Sequence, residues 1–146
     1  MLGIFAFDGG FELICGGSAV GARRHLDAAA VSALEGFSRR YYELLQSSYA
    51  AAGLLALGRE LYGWLDGDGG QLNALLQCAE RPLRFEVCAA NRYPSAAEWA
   101  LLRAPWELLA DQQGFLAGDV GLGFSSVRRL GRPVAPPALD KHRLDP

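Results

Sequence analysis

Between Leu83 and Ala89 the sequence alternates strictly: Leu83, Phe85, Val87 and Ala89 fall on one side, with Arg84, Glu86 and Cys88 on the other. A period of two over seven residues specifies a strand with one buried face, and a one-residue slip would turn every apolar side chain to the wrong side. Upstream the period changes. Ala30, Leu34, Phe37, Tyr41 and Leu44 recur at helical spacing behind Asp27, a suitable N-cap, and Leu54, Leu57, Leu61 and either Trp64 or Leu65 form a second stripe closed by Gly67. Leu72, Leu75, Leu76 and Ala79 support a short helix, and 96–102 another. Helical stripes leading into a half-buried strand predict an α/β fold.

The N-terminus adds a hairpin. Met1 to Cys15 reads as two short apolar strands around Asp8-Gly9-Gly10, because Asp-Gly tolerates the positive φ angles of a tight turn. Gly16 to Gly21 is glycine-rich, which in front of a helix would suit a phosphate. With no Walker lysine and no helix before Asp27, a turn or bulge is the preferred reading, and Val20 to Leu26 continues the sheet.

A chain of 146 residues suits one core. The expected division is a single α/β domain over 1–132 and a Pro-rich linker or tail over 133–146, where apolar residues thin out. A net charge of −2 creates no field for nucleic acid. The run Tyr49 to Gly58 is far short of the ~20 residues that span a bilayer, and the N-terminus lacks the order of a signal peptide, so the expected compartment is the cytoplasm, with no membrane partner. Cys15, Cys78 and Cys88 have no paired spacing, which predicts free thiols, with neither a disulfide framework nor a metal site. No cofactor is expected.

Leu101 to Pro133 is the segment around which the rest is arranged. Pro105 biases Ala104 towards an extended backbone, so the preceding helix ends there and Trp106-Glu107-Leu108-Leu109 makes a single helical turn. Asp111 to Gly114 ends that turn, and Phe115-Leu116-Ala117 and Phe124 to Leu130 have strand character. The string APWELLADQQGFLA…FSSVRRL resembles the PWELL–GFLAL–SLVRRL block of the CHAT domain family, caspase-like proteins often fused to tetratricopeptide-type repeats. The likeness is specific over Pro105 to Leu130 and extends loosely upstream, to about half the chain. It implies a partial caspase-like sandwich: an N-terminal β-hairpin, two to three packed helices and a small mixed sheet. In that family the catalytic histidine and cysteine follow the block, on strands outside this sequence. The chain would then be the non-catalytic N-terminal portion of a cysteine peptidase domain, supplying scaffold and walls of the substrate pocket, with the remainder of that domain as its partner. Pro105, Trp106, Glu107, Leu108 and Leu109 would be structural. The alternative is a stand-alone interaction or scaffold module that binds another protein, or a second copy of itself, through a sheet edge and an apolar helix face.

Few residues suggest chemistry. Cys88 at a strand end is the candidate nucleophile and His25 its candidate base, since His142 lies in the tail. A structural cysteine at the edge of a buried face is the preferred reading. Glu107 and Asp111 form a second, less favoured candidate pair, for acid/base work. Arg128 and Arg129 are the candidate binding residues; being adjacent on a strand, they point to opposite faces and cannot by themselves make one anion site.

Overall fold

The computed structural model describes residues 1–48 and 50–131; the tail expected over 133–146 lies outside them. Strands β1 (Leu2–Phe7) and β2 (Gly10–Cys15) pair antiparallel from Leu2↔Cys15 to Phe7↔Gly10. Asp8 and Gly9 turn between them at φ of 48° and 74°, as the Asp-Gly signal requires. After Gly16 and Gly17 the chain enters β3 (Ser18–His25), antiparallel to β2. The glycine-rich stretch therefore joins two strands, with no helix behind it to face a phosphate.

Helix α1 (Ala28–Leu45) starts where Asp27 accepts a hydrogen bond from the Ala30 amide at 2.8 Å. Then come α2 (Ala51–Asp66), α3 (Gln71–Cys78), strand β4 (Arg84–Ala89) and α4 (Ala96–Arg103). Helix α4 opens on a capping box: the Glu98 amide donates to Ser95 Oγ, and the Ser95 amide donates to the Glu98 carboxylate. Four α-helices pack here, one for each apolar run read from the sequence, where the family resemblance implied two to three.

Beyond Pro105, Trp106–Leu108 forms one 3₁₀ turn, and a small hairpin follows from β5 (Ala110–Asp111) and β6 (Gly114–Phe115). Leu116–Gly118 is another 3₁₀ turn, which corrects the strand expected over 115–117; two residues of pairing exhaust β5, and the Asp119 amide then closes on the Leu116 carbonyl. Strand β7 (Ser125–Leu130) completes the main sheet.

The fold is mixed α/β. Its five-stranded sheet runs β3-β2-β1-β4-β7, with β1, β4 and β7 mutually parallel and the hairpin side antiparallel. Ile4, Ala6, Phe11, Leu13, Phe85, Val87 and Ala89 line one face and form a single core with Leu34, Leu61, Leu65, Leu72, Leu75, Leu101 and Leu102, so all four helices serve that face. On the other face Phe5, Phe7, Ile14 and Val127 lie outside that core and are only partly covered.

One expectation about cysteine is corrected. Cys15, the last residue of β2, and Cys78, the last of α3, are joined in a disulfide across a sequence separation of 63. Packing of α3 on β2 brings the two ends together, a relation sequence spacing cannot express. Cys88 is the free thiol; it shares the Glu86 side of β4 as the alternation requires, yet is fully buried between β1 and β7.

Candidate functional site at the open edge of the sheet

The proposed dyad residues are far apart. His25 is an exposed residue at the end of β3, whereas Cys88 is in β4, with β2 and β1 between them. Three inter-strand spacings amount to about 14 Å, beyond any proton transfer. Cys88 Sγ instead donates to the Gly131 carbonyl at 2.8 Å. Burial pushes its thiol pKa up, the Glu86 carboxylate adds to the rise, and the Arg129 guanidinium opposes it. An activated nucleophile needs the reverse shift.

Glu107 and Asp111 have separate engagements. The Glu107 carboxylate accepts from Arg128 Nη2 at 2.9 Å, while Asp111 accepts from the Gln113 amide at 2.9 Å and stabilises its own turn. Arg59 of α2 donates to the Asp111 and Gln112 carbonyls, which fixes that hairpin on the helix. Tyr62, Asp66 and Asp111 border a cleft of about 490 Å³ there, and burial first, then the two carboxylates, push the Tyr62 pKa up. Among the described residues no group of three or more His, Cys, Asp or Glu could hold a metal ion, and no helix is long and apolar enough to cross a membrane.

The PWELL segment holds the edge of the sheet in place. Trp106 is fully buried, its Nε1 donates to the Leu101 carbonyl at 2.7 Å, and its ring lies 6.3 Å from that of Phe85. Arg128 donates through Nε to Leu102 O at 2.5 Å and through Nη2 to Ala104 O at 2.6 Å. These carbonyls end α4 and need donors, so Arg128 caps the helix from the neighbouring strand. On the other face Arg129 Nε lies 3.1 Å from the Glu86 carboxylate.

Beyond β7 the sheet has no further strand among the described residues. The amides of Ser125 and Gly131 donate inward, to Leu83 and Ala89. By the alternation of a ladder, the backbone groups of Ser126, Arg128 and Leu130 point away from β4. Alongside runs a groove of about 410 Å³ lined by Trp99, Leu102 and Leu130, by Arg103, Arg128 and Arg129, and by Glu107. Trp99 and Leu130 are 38% and 50% exposed, and the Arg103 guanidinium stands 5.5 Å from the Trp99 ring centre. Arg128 and Arg129 do point to opposite faces, but at an edge strand both faces border the same groove. Sequence reasoning missed Trp99 and Arg103; their i, i+4 spacing at the end of α4 was the available signal.

No protein-family profile matches this chain, and no match was found among curated proteins or among solved structures.

Proposed function

We propose that this chain is a non-catalytic scaffold, the N-terminal portion of a CHAT-like, caspase-like domain, whose work is to hold a mixed sheet and offer its β7 edge to a further strand. The observation that carries this reading is the outward row of backbone groups at Ser126, Arg128 and Leu130, beside a groove with exposed apolar side chains. Among the described residues β7 is a six-residue edge with no further strand beside it, which makes it a template for strand addition. The strand comes from the remainder of a CHAT-like domain or, if the module stands alone, from another protein. Peptide-bond cleavage would belong to groups other than Cys88 and His25, given their separation and the raised thiol pKa.

The cytoplasmic placement belongs to the same proposal. Thiol buffering there keeps most cysteines reduced, so Cys15 and Cys78 would be held as thiols in the resting cell.

Hydrogen exchange tests the edge. The amides of Ser126, Arg128 and Leu130 should exchange fast in the purified chain and become protected when it captures strand-forming peptides from a random decapeptide pool. Slow exchange at those amides in the isolated chain would show that the edge is already covered. Thiol-dependent cleavage of that pool, lost in Cys88→Ala, would overturn the non-catalytic reading.

A further inference from the structure

We infer that the strand received at β7 is an acidic extended segment of a partner polypeptide, seated by an apolar side chain between Trp99 and Leu130. This rests on the edge reading above and adds the chemistry of the occupant.

The edge carries a net positive charge, three arginines against the carboxylates of Glu107 and Glu86. The groove is bordered by three guanidinium groups and one carboxylate, Glu107. Arg128 uses Nε and Nη2 for its bonds to α4 and Glu107, and Nη1 has no partner among the described residues. Arg129 meets Glu86 through Nε, and the Arg103 guanidinium carbon lies 5.5 Å from the Trp99 ring centre, so both keep donors for a newcomer. A strand laid against β7 has side chains above and below the sheet, and thus meets Arg128 and Arg103 on the helix-covered side and Arg129 on the other. Acidic residues satisfy both sides, since opposite charges facing each other across strands attract and like charges repel. The same rule disfavours a second copy of this chain: antiparallel β7 strands paired about Arg128 would set that residue against its own counterpart. The apolar requirement comes from Trp99 and Leu130, which leave a hydrophobic surface on the helix side of the edge. Main-chain bonds to Ser126, Arg128 and Leu130 would supply affinity, while the arginines select the sequence.

The test uses the whole chain and three fluorescein-labelled nine-residue peptides with a central valine, with glutamate, glutamine or lysine at the two positions on either side of it so that both faces carry the charge, and with threonine elsewhere. Binding is read by anisotropy and the site by hydrogen exchange. The glutamate peptide should bind about tenfold tighter than the glutamine peptide at low ionic strength, with the lysine peptide weakest, and the preference should shrink as salt rises. It should protect the amides of Ser126, Arg128 and Leu130. Arg103→Gln and Arg129→Gln should each reduce the preference for glutamate while far-ultraviolet circular dichroism stays unchanged. Equal binding of all three peptides, with those amides protected, would overturn the acidic assignment and leave the edge reading standing. No protection by any peptide would overturn both. Tighter binding of a single-stranded oligothymidylate of equal charge would also sink the peptide assignment, because the groove would then be a general polyanion site.

Discussion

A β-carbon placed on Gly58 would stand 2.0 Å from the carbonyl oxygen of Leu108, and 3.2 Å from the Ala110 side chain. The middle of α2 therefore lies directly on the turn that follows Pro105, and the close approach depends on the missing side chain. Helix propensity alone would make Gly58→Ala stabilising by about 1 kcal/mol. The clash is with backbone, which cannot swing aside, so packing decides the sign: Gly58→Ala should lose about 1–3 kcal/mol net. Gly63, five residues on in the same helix, has nothing within 4 Å of the same position. Gly63→Ala should gain about 0.5–1 kcal/mol. Urea midpoints of the two variants moving the same way would refute this account.

The Cys15–Cys78 bond closes a loop with a sequence separation of 63. A cross-link over a loop of that size restricts the unfolded chain by about 4 kcal/mol in the chain-entropy treatment, and measured cases cluster at ~2–4 kcal/mol. Adding reductant should lower the urea midpoint accordingly. In the double variant Cys15→Ser with Cys78→Ser the same reductant should change nothing. A wild-type midpoint indifferent to reductant would mean that the bond contributes no stability.

What the sequence made legible was local. Asp8-Gly9 announced the hairpin, Asp27 the start of α1, and the alternation through Val87 the strand, because turn chemistry, capping and pleat act over a few residues. The disulfide escaped since it depends on α3 lying along β2. The groove escaped for a similar reason: Trp99 and Arg103 sit on α4, and only the parallel placement of β7 beside β4 brings them next to Arg128. Arg128 and Arg129 point to opposite faces, as their adjacency requires, and both border one groove because β7 is at the edge of the sheet. The alternation also said nothing of Cys88's burial, which comes from its position between β1 and β7.

Cys88 should behave as an inert thiol. It has 0% exposure, donates to Gly131 O, and its pKa is raised chiefly by burial. Iodoacetamide at neutral pH should leave it unmodified in the folded chain and alkylate it at once in denaturant, as followed by intact mass. The sign with pH follows from the raised value. The preference for the neutral thiol contributes stability that is fully present below the ordinary thiol range and is lost as pH rises through the folded-state pKa. Stability should thus decline at alkaline pH, and Cys88→Ala should flatten part of that decline. Rapid native-state alkylation at neutral pH would instead indicate an accessible thiolate.

Trp106 should prove structural rather than ligand-binding. Its ring is wholly buried, meets Phe85 beneath the sheet, and satisfies its single donor on Leu101 O, so no part of it is left for a ligand. Truncation removes both contributions. Trp106→Ala should cost about 3–5 kcal/mol, a large share of the ~5–15 kcal/mol that holds a domain together, and leave the chain unfolded or insoluble. Trp106→Phe separates the terms: much of the ring contact stays, but the Leu101 carbonyl loses its partner, and the expected loss falls to about 1–3 kcal/mol. Because the 106–109 turn also carries Glu107, the anchor of Arg128, hydrogen exchange in Trp106→Phe should rise at β7 more than at β1. If Trp106→Ala kept its melting temperature and lost capture of strand-forming peptides, the ring would belong to a recognition surface and not to the core.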